Sequence, residues 1–168
     1  VGIDCGVLYK GFHTDMAETL CVKSQISNLK SQKVDEIDKF LETGKTALSE
    51  AIKVAKVGNR VGHISKTIQD IVEGAGYSVV RSLVGHGVGK SLHEEPEVPG
   101  FLATKIEKTP LLKNGTTIAI EVIYNMGKSG VIYSNKDGWT IATEDGSISG
   151  LFERTIAITK NGPVILTI

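Results

Sequence analysis

Apolar and polar residues alternate over two stretches at the start of the chain and over several more in its last third. Alternation with a period of two is typical of strands with one buried face. Residues 1–9 and 12–22 are therefore predicted to form a hairpin around Tyr9-Lys10-Gly11. Further strands are predicted over 77–84, within 111–125 after a turn at Asn114-Gly115, on both sides of Asp137-Gly138, and on both sides of Lys160-Asn161-Gly162-Pro163.

The apolar period changes to about 3.6 residues between these groups of strands, which is the period of an amphipathic helix. One helix is predicted over 28–56 and a second over 60–74, where Gly74-Ala75-Gly76 ends the pattern. Strands on both sides of a helical pair predict an α+β fold with a mainly antiparallel sheet. We expect residues 1–168 to form one domain, because no linker or repeat interrupts the chain.

The segment LVGHGVGKSLHEEPEVP, residues 83–99, holds His86 and His93 seven positions apart. Glycine and proline are unfavourable inside helices. The three glycines of this segment are Gly85, Gly87 and Gly89, so the segment is predicted to be a loop that places two imidazoles.

Composition narrows the function further. Lys and Arg equal Asp and Glu at 19 each, so the net charge is zero, which argues against a nucleic-acid partner that depends on clustered positive charge. We find no apolar run long enough for a membrane span. Cys5 and Cys21 form no metal-binding CxxC pair, and we interpret them as reduced thiols of a cytoplasmic protein.

Two acids of the first hairpin suggest a cation. With Tyr9 and Lys10 at the turn, Asp4 and Asp15 are predicted to lie opposite each other. Opposed carboxylates repel unless a positive charge lies between them. A divalent cation would supply that charge.

Two more acids lie on strand faces of small residues. Ala119 shares a face with Glu121, and Thr155 and Ala157 share a face with Glu153, while most of the bulky residues point the other way. Such faces leave room for metals and a substrate. Two metals about 3.5–4 Å apart can share bridging carboxylates, and carboxylates with a histidine suit Mn, Fe, Co or Zn.

The motifs resemble one family. IDCGVLYKGFHTDMAET, VGHGVGKSLHEEPEVP, TIAIEVIYN, NKDGWTIATEDGSISGLFERTIAIT and NGPVILT together resemble type I methionine aminopeptidase, of the pita-bread metallopeptidase fold shared with prolidase and creatinase. The resemblance covers nearly the whole chain. It implies a curved antiparallel sheet with outer helices, two divalent metal ions (Co, Mn, Fe or Zn), and nascent proteins or peptides as substrates.

The resemblance also implies roles. Asp4 would bind one metal, Asp15 and Glu153 would bridge both, and His86 and Glu121 would complete the second site. Glu121 would also move a proton of the attacking water. His93 would hydrogen-bond the substrate and stabilise the tetrahedral intermediate. Trp139 and Leu92 would contact the substrate, and Trp139 would line the methionine pocket.

The chain departs from the family pattern in three places. Leu92 replaces an aromatic residue, and Gly150-Leu151-Phe152-Glu153-Arg154 replaces Ala-Gln-Tyr-Glu-His. The family also has an N-terminal part before the first aspartate, and we expect this chain to be the C-terminal portion of that catalytic domain. The resemblance does not decide whether this portion is active by itself. An exposed sheet edge would favour a homodimer.

Two alternatives stay open beside the methionine aminopeptidase interpretation. One is a prolidase-like Xaa-Pro dipeptidase, although the segment DGWT, residues 137–140, favours methionine aminopeptidase. The other is an inactive pita-bread module that binds peptides without metal. Five intact ligand positions favour the enzyme over the binding module.

Overall fold

An antiparallel sheet forms the framework of the protein in the computed structural model, which describes residues 1–22 and 31–167, with the side chains of 31–33 left aside. Its strands are β1 Gly2–Tyr9, β2 Phe12–Thr19, β3 Ser78–Val79, β4 Gly85–Gly87, β5 Glu94–Val98, β6 Thr117–Asn125, β9 Ser149–Thr159 and β10 Gly162–Ile165. The central strands follow the order β1-β2-β9-β6-β4-β5, while β10 pairs with β9 and β3 with β6. A separate small hairpin joins β7 Val131–Tyr133 to β8 Ile141–Thr143.

Two helices pack against one face of this sheet. They are α1, Ser31–Val54, and α2, Val61–Gly74, and a short 3-10 helix covers Ile106–Lys108. The predicted α1 began at 28, and residues 28–30 lie outside the described residues. The core between helices and sheet includes Phe40, Ile64 and Phe152, all fully buried. The α+β prediction is confirmed, and neither described helix has the length and apolarity to cross a membrane.

The register of the first hairpin differs from the prediction. Asp4 pairs with Ala17, and Asp15 pairs with Gly6, so the two aspartates are not opposite each other. The turn centre lies between Lys10 and Gly11, which both have positive φ (49° and 83°), as in a two-residue hairpin turn. Because the error is two residues, both aspartates still lie on one face as diagonal neighbours.

The predicted loop over 83–99 contains two short strands, β4 and β5, and this part of the prediction was wrong. Glycines allow the close strand approach. A Cβ on Gly85 would lie 2.5 Å from the Ala119 carbonyl oxygen, and one on Gly87 would overlap the Glu95 carbonyl. The predicted strand over 77–84 shrinks to Ser78–Val79, because the chain leaves the sheet before it returns as β4.

The outermost strand, β1, is exposed along its whole length. Tyr9 is 68 % and Leu8 62 % exposed. Cys5 is exposed as well. Strand β2 pairs with one edge of β1, and no other strand in the described part of the chain pairs with its second edge.

Candidate metal centre

A row of acidic side chains crosses four adjacent strands. Asp4 of β1 pairs with Ala17 of β2, Ala17 pairs with Glu153 of β9, and Glu153 pairs with Glu121 of β6. Asp15 lies two residues from Ala17 and therefore on the same face. The predicted acidic face is thus the face opposite the hydrophobic core.

Glu121 and Glu153 are directly opposed in the β6–β9 ladder. Glu153 is 2 % exposed. Two like charges at such a position destabilise a sheet, and burial makes an unpaired charge still more costly. On this face the pair has the small Ala119–Thr155 pair on one side and the bulky Ile123–Leu151 pair on the other.

His86 extends the row from the next strand. It pairs with Ala119, which places it diagonally beside Glu121. Its Nε2 lies 3.4 Å from Glu121 Oε1 and 3.9 Å from Asp15 Oδ2. Its Nδ1 lies 2.8 Å from the carbonyl oxygen of Gly87. Because a carbonyl only accepts, Nδ1 carries the proton in this bond, which leaves Nε2 facing the carboxylates as the ring nitrogen that could bind a cation.

These groups fit a divalent cation. One ligand atom each from Asp15, His86 and Glu153 lies within 4.8 Å of the others, and all three residues are buried. Asp15 Oδ1 and Glu153 Oε1 are buried without any hydrogen-bond partner. Buried polar atoms are nearly always partnered, so two unpartnered carboxylate oxygens in one cluster indicate that a cation completes it.

The electrostatics of the cluster agree with this. Burial, together with the charges of Asp15 and Asp4, raises the pKa of Glu121 to about 8. Burial, together with the charges of Glu121 and the two aspartates, raises the pKa of Glu153 to about 9. Burial, followed by the charge of Asp15, also raises the pKa of Asp4. Without a cation, the folded protein therefore holds protons in place of positive charge.

The structure brings together most, but not all, of the predicted metal ligands. Asp15, His86, Glu121 and Glu153 come together, while Asp4 is exposed and is linked to the cluster through Asp15. The Asp4 position on an uncovered edge strand explains its exposure. Its role as a ligand stays a prediction.

His93 reaches the cluster through His86. The centroids of the two imidazole rings are 4.3 Å apart, with an angle of 63° between the ring planes. His93 is exposed, so a substrate could reach it. Leu92 packs over Gly6, where a Cβ would lie 3.4 Å from its Cδ1. Leu92 and His93 thus border the acidic face.

Trp139 lies on the β7–β8 hairpin and is 84 % exposed. Asp137 fixes its loop, because Asp137 Oδ1 accepts hydrogen bonds from the backbone N–H groups of Trp139 and Thr140, both at 2.9 Å. Its contact with a substrate side chain stays a prediction.

Sequence reasoning missed the residues that hold the aspartate strand in place. The Thr155 hydroxyl accepts a hydrogen bond from the Asp15 N–H and donates one to the Asp15 carbonyl, both at 2.8 Å. The Thr19 hydroxyl makes the same pair of bonds with Leu151. Period-two patterning identifies Thr155 only as a small residue, and nothing in the sequence marks its hydroxyl as a strand link.

Known proteins are similar to this chain over nearly its whole length. The model of metallopeptidase family M24 matches residues 1–160. The chain is 44 % identical over 168 residues to methionine aminopeptidase of Clostridium perfringens, covering 100 % of this chain and 63 % of that protein. It is 40 % identical over 167 residues to that of Aquifex aeolicus, covering 99 % and 61 %.

A solved structure agrees with these relatives. The methionine aminopeptidase of Thermotoga maritima superimposes with a TM-score of 0.87 at 37 % identity, over 99 % of this chain and 62 % of that one. The chain therefore spans less than two thirds of the length of these relatives. The resemblance to methionine aminopeptidase is confirmed. Since the family model covers 160 of the 168 residues, including Asp15, Glu121 and Glu153, the chain belongs to metallopeptidase family M24.

Proposed function

We propose that this chain is the catalytic portion of a methionine aminopeptidase, which removes the N-terminal methionine from proteins and peptides in the cytoplasm. The observation that carries the proposal is the buried, opposed Glu121–Glu153 pair beside Asp15 and His86. Membership of a metallopeptidase family implies divalent metal use. The similarity to methionine aminopeptidases supports this reaction over others of the family.

The donor set would hold two divalent ions. Asp15 and Glu153 would bind through their unpartnered carboxylate oxygens, and His86 would bind through Nε2. Asp4 and Glu121 would complete the set. When bound, such ions supply Lewis acidity that lowers the pKa of water to about 7 and polarises a carbonyl.

The chain's own residues would perform the remaining steps. The Glu121 carboxylate would take a proton from the attacking water and pass it to the leaving amine. His93 would donate a hydrogen bond to the oxygen of the first peptide carbonyl as it gains charge. Leu92 and Trp139 would contact the methionine side chain of the substrate.

Hydrolysis of a Met-Ala-Ser peptide with added Mn²⁺ or Co²⁺ tests this proposal. We expect release of free methionine by the wild-type chain and a loss of at least about 100-fold in Glu121→Ala, because general acid–base catalysis contributes about 10²–10⁴-fold. Glu107→Ala, an exposed glutamate of the 3-10 helix, is the matched control and should keep full activity.

Three outcomes would contradict the proposal. Bound metal without cleavage would mean that this portion does not build an active site by itself. Cleavage of an Xaa-Pro dipeptide in place of Met-Ala-Ser would favour a prolidase-like enzyme. Peptide binding with neither metal nor cleavage would favour the binding module.

We also propose a homodimer through the outer edge of β1. This edge pairs with no strand in the described part of the chain, and its side chains Ile3, Leu8 and Tyr9 are each more than half exposed. Free apolar edges readily pair with another strand. Sedimentation equilibrium should give twice the monomer mass for the wild type and a monomer for Leu8→Pro, which removes an N–H from the outer edge because the odd-numbered residues of β1 are the ones that bond to β2. A monomeric wild type would contradict this proposal.

A further inference from the structure

The candidate metal centre draws its ligands from two parts of the sheet. Asp4 and Asp15 belong to the β1–β2 hairpin, whereas His86, Glu121 and Glu153 belong to β4, β6 and β9. Only two residue pairs, Met16–Arg154 and Ala17–Glu153, join β2 to β9, against nine pairs between β6 and β9. The geometry of the centre therefore depends on a short ladder.

Arg154 spans this ladder at its middle. Its Nη1 donates to the carbonyl oxygen of Ala17 on β2 at 3.1 Å and to that of Glu153 on β9 at 2.7 Å. One planar guanidinium thus ties together the backbones of the two strands, at the pair that lies in the acidic row. Arginine suits this position because its fixed fork of donors can serve several acceptors at once.

Glu18 fixes the other end of the guanidinium. Arg154 Nη2 donates to Glu18 Oε2 at 2.9 Å, and Lys45 of α1 lies 3.8 Å from Glu18 Oε1. Arg154 and Glu18 are only 22 % and 26 % exposed in their side chains, so water competes weakly for these bonds. The contacts lie on the helix side of the sheet, because Arg154 follows Glu153 by one residue and points to the opposite face.

We propose that Arg154 is a positioning residue that locks the β1–β2 hairpin against β9 and so fixes Asp15 relative to Glu153. In the proposed function, Arg154 would contact neither the metal nor the substrate. Its effect on catalysis rests on that proposed function. The two threonine hydroxyls, of Thr19 and Thr155, hold the ladder at its ends, and Arg154 holds its centre.

Arg154 could instead act through its positive charge, and a variant that conserves the charge separates this mechanism from positioning. The positive charge of Arg154 favours the ionised form of Glu153. Arg154→Lys keeps that charge but has a single ammonium in place of the fork. If only charge mattered, this variant would behave as the wild type, whereas the positioning role predicts that it resembles Arg154→Gln.

Amide hydrogen exchange on the full metal-free chain tests the lock directly. We expect residues 12–19 of β2 to exchange about 10-fold faster in Arg154→Gln than in the wild type, because a charge-assisted bond network across the ladder is lost. Arg154→Lys should show most of this increase. Lys45→Ala, which removes a positive charge beside the same Glu18, is the control and should leave exchange in β2 nearly unchanged.

Metal affinity gives the second measurement. Titration with Mn²⁺ should show about 10-fold weaker binding in Arg154→Gln, as expected for a residue that orients ligands from behind. Glu18→Gln, which keeps a neutral acceptor for Arg154, should give a smaller effect of the same kind and serves if Arg154→Gln does not fold.

The outcomes distinguish the two proposals. Unchanged exchange in β2, or Mn²⁺ affinity equal to that of the wild type, would overturn the positioning role, as would wild-type behaviour of Arg154→Lys. A wild-type chain that binds no Mn²⁺ would instead overturn the proposed function, and the exchange rates would still decide whether Arg154 locks the hairpin.

Discussion

Glu153→Gln should weaken Mn²⁺ binding by about 100-fold or more, since even residues behind metal ligands change affinity by about 10–100-fold. Hydrolysis of Met-Ala-Ser should fall to the background rate with it. Glu153 supplies a buried oxygen without a hydrogen-bond partner and lies directly opposite Glu121. Replacing its carboxylate with an amide therefore removes a negative charge at the centre of the site. Isothermal titration and methionine release measure the two effects.

The same variant should stabilise the metal-free protein. Without a cation, the Glu153 carboxyl is buried beside a second glutamate, and removing one of the two acids relieves that cost. We expect the free energy of unfolding at pH 8 to rise by about 1–3 kcal/mol, the range for an unsatisfied buried group, as measured by urea denaturation with the metal chelated. Opposite signs for metal binding and stability are the signature of a ligand, because an ordinary core residue would lower both.

Glu107→Gln is the matched control for both measurements. It makes the same chemical change at an exposed position of the 3-10 helix, so neither affinity nor stability should change by more than about 0.5 kcal/mol. Wild-type Mn²⁺ affinity in Glu153→Gln would contradict the assignment of Glu153 as a ligand.

The acidic face could be predicted from the sequence because it depends only on strand alternation. Ala119, Glu121, Glu153 and Thr155 lie on one face in the structure as their period of two requires. The turn centre was predicted one position too early, between Tyr9 and Lys10, and this changed the register of the first hairpin by two residues. Faces survive a shift of two, so the prediction of which residues share a face was right while the prediction of which residue is opposite Asp4 was wrong.

The parts that could not be predicted depend on contacts distant in sequence. Strands β4 and β5 carry little apolar alternation, and they form because Gly85 and Gly87 allow other backbones to approach. The exposure of Cys5 and Asp4 depends on whether a second layer covers β1, which alternation within β1 does not report. The bonds of Arg154 to Ala17 and Glu18 join residues more than 130 positions apart.

The metal-free protein should lose stability as the pH rises from about 4.5 to about 8. The folded-state pKa of Glu121 and of Glu153 lies above the usual value of 4.5, at about 8 and about 9. Between these limits the folded state binds more protons than the unfolded state, so the free energy of unfolding falls as the pH increases. Urea denaturation at pH 5, 6.5 and 8 with the metal chelated measures the slope, and Glu121→Gln should flatten it.

A divalent metal should reverse this loss, because it neutralises the carboxylates that protons otherwise neutralise. At pH 8, Mn²⁺ at 100 times its dissociation constant stabilises the folded state by about 2.7 kcal/mol, which corresponds to about 5–10 °C in Tm for a chain of this size. At pH 5 protons compete for the same oxygens, and the gain in Tm should shrink. A free energy of unfolding that does not change with pH in the absence of metal, or an equal gain in Tm at both pH values, would contradict a cluster in which metal and protons compete. The predicted pH dependence of both quantities would identify the acidic face as a metal centre, by measurements that require no catalytic turnover.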